Sequence, residues 1–249
     1  MILTIAAQKG GVGKTTTTAA IAQALSQKKK NRVLVIDFDG QMSLTSVYGA
    51  DPNRLTIYNV VKGECHAAEA IQKTPVGEII PGNNRLYGLD IELSNQPGRD
   101  MFLRRSLDPI RDKYTHIVID TSPGMGTGLV QSLTASDGVL IPIQCNTQAY
   151  KGLTTVIDTI DQVREYCNED LKLLGIVITK YQPRTNLARQ YETLIEATAE
   201  KCDTKLLKTR IRQGVAIEEA QALKRDLYEY APKSKPAEDY MSLIKELKL

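Results

Sequence analysis

A glycine-rich segment with two lysines follows the first apolar run of the chain. Residues 8–16 read Gln-Lys-Gly-Gly-Val-Gly-Lys-Thr-Thr, between the apolar residues 2–7 and a segment of helical period that begins at Lys14. Glycines let successive backbone amides turn toward one point, and the helix N-terminus adds partial positive charge there. The spacing predicts a nucleotide phosphate site, with Lys14 on the β- and γ-phosphates and the Thr15 hydroxyl on Mg²⁺.

The loop departs from the commonest phosphate-binding pattern, G-x-x-x-x-G-K-[ST], at its first position. Gln8 stands where that pattern has glycine, and Lys9 precedes the double glycine. A flexible glycine turn with solvated lysines is the alternative interpretation, but an apolar strand before the loop and a helix after it favour a phosphate site. The predicted nucleotide contacts are Lys9, Gly10, Gly11, Val12, Gly13, Lys14, Thr15 and Thr16.

Three aspartates follow the ends of two other apolar runs. Asp37 and Asp39 come after residues 33–36, and Asp120 comes after residues 117–119. Carboxyl ends of parallel strands meet at one edge of a sheet, where the phosphate loop also lies. We therefore expect Asp120 to hold Mg²⁺, through water. Asp37 and Asp39 point the same way in an extended chain and favour a bound cation or water, although capping of the next helix is an alternative.

The elements that must position these residues alternate along the chain. Apolar runs of three to six residues, rich in Val and Ile, are typical of strands buried on both faces of a parallel sheet. They lie at residues 2–7, 33–36, 117–119, 139–143 and 173–178, with further strands expected around 78–80 and 89–93. Segments of helical period lie at residues 14–28, 150–166, 187–199, 215–223 and 237–247. This alternation predicts an α/β fold with a doubly wound, mostly parallel sheet flanked by helices.

Composition and charge exclude several classes of protein. The chain of 249 residues is 42% hydrophobic and 24% charged, as in a globular protein and unlike a disordered one. No apolar run approaches the roughly 18 residues of a membrane span, and the N-terminus does not fit a signal peptide, so a cytoplasmic protein is expected. The net charge of +3 is too small to imply nucleic acid by itself. The four cysteines form neither a disulfide framework nor a metal pattern.

The phosphate loop resembles the deviant Walker A motif of the ParA/MinD superfamily of P-loop ATPases, K-G-G-V-G-K-T. The resemblance implies a homodimer with ATP sandwiched between subunits, in which Lys9 reaches the phosphates of the ATP bound by the other subunit. It also implies that Asp39 orients the attacking water and that Asp37 supports Mg²⁺. Catalysis would thus involve Lys9, Lys14 and Asp39, and the metal would involve Thr15, Asp37 and Asp120.

Two departures from the superfamily pattern lie just after these carboxylates. The second acidic motif usually reads D-x-D-P-Q-G-N, whereas Gly40 here replaces the proline, and Met42 and Ser43 replace Gly-Asn. They concern the loop that follows Asp37 and Asp39 rather than the two carboxylates themselves.

Later segments resemble the ParA/Soj branch of partition ATPases. Residues 179–187 match the branch pattern T-x-Y-x-x-R-T-N-L, and residues 139–144 and 149–153 resemble its strand and helix, with Asn146 where the family often has Glu. The resemblance implies a cytoplasmic, nucleoid-associated protein that binds DNA without sequence preference and positions a plasmid, chromosome or other cargo. A ParB-like or other centromere-binding protein would be its partner. The expected DNA contacts are Arg184, Arg189, Lys208, Arg210 and Arg212, for which a solvated helix face is the alternative.

Other branches of the superfamily fit less well. MinD-like membrane-associated ATPases end in a basic amphipathic helix, whereas Tyr240, Leu243, Ile244 and Leu247 have the spacing of a helix docked on the core, so no membrane partner is expected. A metabolic ligase or kinase would need a substrate pocket that the sequence does not identify. The phosphate loop begins at Lys9, which leaves no room for an N-terminal helix-turn-helix domain, so one ATPase domain over residues 1–249 is expected.

Overall fold

The computed structural model describes residues 1–124, 126–182 and 186–249. Arg184, one of the predicted DNA contacts, lies outside the described residues. The strands of the described chain are β1 (Ile2–Ile5), β2 (Val33–Phe38), β3 (Gln72–Thr74), β4 (Gly77–Ile80), β5 (His116–Thr121), β6 (Gly138–Ile143), β7 (Lys172–Tyr181) and β8 (Leu206–Arg212).

All eight strands join one sheet in the order β3-β4-β2-β5-β1-β6-β7-β8. Only the β3–β4 pair is antiparallel among the strands described, and the other neighbours run parallel. The predicted fold, a doubly wound and mostly parallel sheet of the P-loop type, is therefore confirmed. Since β1 lies between β5 and β6, the phosphate loop begins near the middle of the carboxyl edge of the sheet.

Helices cover both faces of this sheet. Those with eight or more residues are α1 (Lys14–Ser26), α5 (Phe102–Arg111), α6 (Thr127–Ala135), α7 (Thr147–Tyr166), α8 (Asn186–Lys201), α9 (Val215–Ala222) and α11 (Lys235–Leu247). Short helices lie between them: α2 (Ser43–Tyr48), α3 (Ile57–Val61), α4 (Leu89–Glu92) and α10 (Leu227–Tyr230). The five helical segments expected from the sequence all form, with ends that differ by a few residues.

The core divides according to the pleat of the strands. Along β2, Val35 packs into the cluster formed with α1 and α11, whereas Leu34 and Ile36 pack into the cluster formed with α3 and α5. Successive side chains of a strand point to opposite faces, so a nearly continuous apolar run serves both layers. A third cluster packs α7 and α8 against β6 and β7.

One of the two further strands is confirmed and the other is wrong. Residues 78–80 lie in β4, but residues 89–93 form α4 and its end instead of a strand. Leu89 and Leu93 are buried, while the residues between them are exposed. A spacing of four buries both leucines on one side of a helical turn, whereas a strand would bury alternate residues.

The last helix docks on the sheet, as its apolar spacing predicts. Tyr240, Leu243 and Ile244 of α11 are buried in the core, and the Tyr240 hydroxyl lies 3.0 Å from the Thr17 hydroxyl of α1. In the described residues, no helix has the length and apolar character needed to cross a bilayer.

Candidate nucleotide site

Two glycines give the phosphate loop its turn. Gly11 and Gly13 have φ angles of 78° and 89°, in the left-handed region that residues with a Cβ atom rarely adopt. Gly13 lies directly before α1, so the loop leads into the N-terminal end of that helix. Its backbone amides and the helix dipole are thus placed to bind an anion.

Side chains from distant parts of the sheet hold the carbonyl groups of this loop. The Gly11 carbonyl accepts hydrogen bonds from Gln144 Nε2 at 2.8 Å and Lys180 Nζ at 3.0 Å. The Val12 carbonyl accepts one from the Thr179 hydroxyl at 2.7 Å. In a trans peptide the carbonyl and the following amide point in opposite directions. These contacts therefore fix the direction of the loop amides before any ligand binds.

Lys14 occupies the centre of the site. Its side chain is buried, and its ammonium group donates to the Lys9 carbonyl at 3.1 Å. Burial lowers the pKa of Lys14, while the nearby charges of Asp120 and Asp39 act in the opposite direction. A buried cation beside two carboxylates is well placed to bind phosphate oxygens.

Asp37 and Asp120 form a buried pair of carboxylates. The two residues are directly paired in the parallel β2–β5 ladder, and both are fully buried. Burial raises the pKa of both carboxyl groups, and a nearby charge adds to the effect, that of Asp39 at Asp37 and that of Asp37 at Asp120. Asp120 Oδ1 accepts a hydrogen bond from Thr18 at 3.3 Å, whereas buried Oδ2 has no partner among the described residues. An unpartnered carboxylate oxygen beside a second carboxylate fits a hydrated Mg²⁺ ion.

The two aspartates that follow β2 have different surroundings. Asp37 Oδ2 accepts hydrogen bonds from the Thr45 amide at 2.7 Å and the Thr45 hydroxyl at 2.6 Å, so it also holds α2. The Asp39 carboxylate accepts only from the Gln41 amide, at 2.9 Å, among the described contacts, and Asp39 lines the cavity. Asp39 is therefore the carboxylate of this pair that is more available to a ligand or water.

A cavity of about 300 Å³ opens above the phosphate loop. It brings together Lys14, Thr15, Thr16 and Asp39, as the sequence predicts. The cavity is also lined by residues that the predicted site does not include, which are Gln41, Ser43, Val47, Pro123, Lys180 and Gln221. Gln41 and Ser43 lie in the acidic motif that follows β2, whereas no local motif marks Lys180 and Gln221. A larger cleft of about 840 Å³ between α3 and α5 contains none of the predicted site residues.

The predicted DNA contacts that are described fall into two groups. Arg189 and Lys208 are exposed. Arg210 Nε donates to Glu192 at 2.7 Å, and Arg212 NH2 donates to Asp239 at 2.6 Å. The charges of Arg210 and Arg212 are thus balanced by nearby carboxylates, whereas Arg189 and Lys208 present theirs to solvent.

Comparisons with known proteins agree with this geometry. The AAA_31 family, described as an AAA domain, matches residues 1–173. The sporulation initiation inhibitor protein Soj of Bacillus subtilis is 35% identical over 99% of this chain and 97% of Soj. The chromosome partitioning protein ParA of Caulobacter vibrioides is also 35% identical, over 99% of this chain and 93% of its own length.

A solved structure with bound nucleotide is similar over nearly the whole chain. It is that of cobyrinic acid a,c-diamide synthase from Mycobacterium smegmatis with ADP and magnesium. The TM-score is 0.84 at 32% identity, and the match covers 99% of this chain and 95% of that one. Another structure of the same protein contains an ATP analog and magnesium.

Proposed function

The chain belongs to the ParA/Soj family of P-loop partition ATPases, and on this premise we propose that it couples hydrolysis of Mg-ATP to the segregation of a DNA cargo. The observation that carries the proposal is the cavity lined by Lys14 and Asp39, with the charge of the buried Asp120 close to Lys14. In this proposal, residues 1–249 act as a single ATPase domain, and the partner is a ParB-like or other centromere-binding protein.

Each residue of the site has a separate task in the proposed reaction. Lys14 and the loop amides bind the phosphates, and the Thr15 hydroxyl and Asp120 hold Mg²⁺, which offsets phosphate charge when bound. Asp37 supports the metal through its charge beside Asp120 and not through a free oxygen, because Thr45 occupies its Oδ2 and the Asp39 amide donates to its Oδ1 at 3.3 Å. Asp39 orients the attacking water, for which its position in the cavity leaves room.

Lys9 is proposed to act across a homodimer. Its side chain is exposed, unlike that of the buried Lys14 five residues later. An exposed cation at the rim of the site is free to reach the phosphates of ATP bound by a second copy of the chain. There it would stabilise the negative charge that develops during hydrolysis, as a finger residue supplied in trans does.

DNA binding is proposed to use Arg189 and Lys208, together with Arg184. Exposed Lys and Arg side chains bind duplex phosphates without reading the sequence. Arg210 and Arg212 are proposed to contribute less, because Glu192 and Asp239 balance their charges. The ATP-bound dimer would bring two such surfaces together, which makes retention on DNA dependent on ATP.

Retention of a nonspecific DNA duplex tests the proposed function. We expect retention with ATP and Mg²⁺, little with ADP, and a steep loss between about 50 and 200 mM salt. The Lys14→Ala variant is the matched control and should not be retained. Equal retention with and without nucleotide would contradict the proposal. ATP-dependent binding to anionic vesicles in place of DNA would favour a MinD-like function.

A biosynthetic function is the second candidate, because the similar Mycobacterium smegmatis structure carries the name of a diamide synthase. A ligase of that kind would turn over ATP in proportion to an added corrinoid acid and an amide donor, without any need for DNA. ATP turnover measured with DNA, and separately with cobyrinic acid and the amide donor together, distinguishes the two. Stimulation by the acid and donor without DNA would favour the biosynthetic function.

A further inference from the structure

A short segment lies between the loop that carries Asp39 and the loop that follows Asp120. It consists of a 3₁₀ turn, Asn84–Gly88, and α4. Two of its side chains, Tyr87 and Asp90, each contact a glycine in one of those loops. The segment thus touches both flanks of the proposed reaction site without entering the cavity above the phosphate loop.

Tyr87 covers Gly40, the residue directly after Asp39. A Cβ atom placed on Gly40 would lie 3.0 Å from two carbons of the Tyr87 ring, closer than side chains normally approach. Gly40 is not among the residues with positive φ, so its backbone does not itself require glycine. The ring is 66% exposed, but it buries Gly40 beneath it. With the ring in this position, any residue larger than glycine at position 40 would require the ring to shift.

Asp90 makes the matching contact on the other flank. Its Oδ1 accepts a hydrogen bond from the Thr127 amide at 2.7 Å, which caps the N-terminal end of α6. A Cβ atom on Gly126 would lie 2.7 Å from Asp90 Oδ2, although Gly126 has an ordinary φ of −75°. The carboxylate thus fixes the point at which the chain leaves the loop after Asp120 and enters α6.

The segment is itself firmly anchored. Tyr58, which is buried in α3, donates its hydroxyl proton to Glu92 at 2.5 Å and accepts a hydrogen bond from Arg85 at 3.0 Å. Lys62 forms an ion pair with Glu92 at 3.0 Å. Both ends of the segment are therefore tied to α3, so Tyr87 and Asp90 project from a fixed support.

We propose that Tyr87 and Asp90 are positioning residues for ATP hydrolysis, which hold the Asp39 loop and the start of α6 in one fixed relation. The inference rests on the proposed function, because it assigns to the two side chains the placement of a water-orienting carboxylate. Small displacements of such a group reduce the rate of the chemical step much more than they reduce binding.

Single substitutions distinguish an effect on the placement of Asp39 from an effect on ATP binding. Tyr87→Ala and Asp90→Ala are each expected to lower kcat for ATP hydrolysis by roughly tenfold while KM changes less than about twofold. Tyr87→Phe keeps the ring and Asp90→Asn keeps an oxygen that caps α6, so both should restore most of the lost rate. Ile91→Ala, at a side chain on α4 that is 81% exposed, is the control and should turn over ATP as the wild type does.

A double-mutant cycle tests the Tyr87–Gly40 contact directly. Gly40→Ala should lower kcat because its methyl group meets the ring, and adding Tyr87→Ala should remove that clash. We expect the double variant to be no slower than Gly40→Ala alone, which is a non-additive result. Thermal unfolding of each variant, measured alongside, reports any general loss of structure.

The results distinguish failure of the positioning inference from failure of the proposed function. If the wild type hydrolyses ATP but Tyr87→Ala and Asp90→Ala keep its kcat, the positioning inference is overturned and the proposed function stands. The inference is also overturned if the cycle is additive, or if KM and the unfolding temperature change in step with kcat. If the wild type hydrolyses no ATP under any condition, the proposed function fails first.

Discussion

Asp37 and Asp120 lie side by side on neighbouring parallel strands, and neither carboxyl group is exposed to solvent. Two carboxylates in this arrangement repel each other and lose hydration, so the folded protein favours their protonated forms when no cation is present. The pair therefore makes the stability of the nucleotide-free protein depend on pH.

The first prediction concerns that pH dependence. Burial and the charge of Asp37 raise the pKa of Asp120 to about 8, above its value in the unfolded chain. A carboxyl group whose pKa is higher in the folded protein than in the unfolded chain stabilises the fold fully at pH values below its unfolded pKa. This stabilisation is lost as the pH rises through the pKa in the folded protein. The nucleotide-free protein should thus become less stable from about pH 4 to about pH 8, by up to about 1.4 kcal/mol per pH unit for one proton.

Urea unfolding at several pH values measures this slope. Asp120→Asn removes the group with the higher pKa and should flatten the slope above about pH 6, while Asp37, whose pKa is raised to about 6, still contributes below it. Saturating Mg-ADP should restore stability most at the alkaline end. A stability that rises with pH over the same range would contradict the prediction.

The second prediction concerns Lys14. Lys14→Ala removes the buried cation beside the phosphate loop, and we expect ATP affinity to fall by roughly two orders of magnitude, since charge-assisted contacts contribute about 1.5–3 kcal/mol. Titration of a fluorescent ATP analogue measures the change. Lys29→Ala, at an exposed lysine beyond the other end of α1, is the control. Unchanged affinity in the Lys14 variant would exclude the phosphate-site assignment.

The third prediction separates groups that act within a subunit from those that act across the dimer. Asp39→Ala should bind ATP, accumulate as an ATP-bound dimer, and hydrolyse at least about 100-fold more slowly, because the water loses its orienting carboxylate. Lys9→Ala should also bind ATP and hydrolyse it slowly.

Mixing the two inactive proteins tests the arrangement. In a mixed dimer, one site keeps its own Asp39 and receives the Lys9 of the other subunit, so part of the ATPase activity should return. Analytical ultracentrifugation of the same samples reports dimers. If dimers form but the mixture recovers no activity, Lys9 does not act on the ATP bound by the other subunit.

The fourth prediction concerns DNA. Arg184→Glu, Arg189→Glu and Lys208→Glu should each weaken DNA retention and lower its salt slope by about 0.9 for each lost phosphate contact, while ATP-dependent dimers still form. Arg210→Ala should affect retention less and lower the unfolding temperature more, because it leaves Glu192 without its ion-pair partner.

Lys29→Glu is the matched charge reversal for these variants, because Lys29 is exposed and lies beyond the end of α1 away from the phosphate loop. It should bind DNA nearly as the wild type does. If Arg189→Glu and Lys208→Glu behave like this control, DNA binds to another surface.

The parts of the site that are contiguous in sequence could be predicted from it. The phosphate loop and the aspartates after β2 and β5 meet in space because parallel strands bring their carboxyl ends to one edge. Apolar runs of Val and Ile identify the central strands for a related reason, since a strand buried on both faces needs apolar residues at almost every position.

Contacts between distant segments could not be predicted. Gln144, Thr179 and Lys180 hold the phosphate loop from β7 and the loop after β6. Gln144 and Thr179 lie in segments that resemble the ParA/Soj branch, but those patterns do not indicate a contact with the phosphate loop. β8 was missed because, at the edge of the sheet, charged residues alternate with its buried Leu207 and Ile211. The same alternation made its arginines resemble a free basic patch, although Arg210 and Arg212 are paired in the fold.

The contact between Gly40 and Tyr87 also restricts the order in which substitutions can accumulate during evolution. With the ring in its present position, a Cβ atom at position 40 would lie 3.0 Å from it, so any residue larger than glycine requires the ring to shift. A smaller residue at position 87 removes this contact and can arise first without a clash. The route toward the proline usual at position 40 that avoids the contact therefore passes through an intermediate with glycine at position 40 and a small residue at position 87.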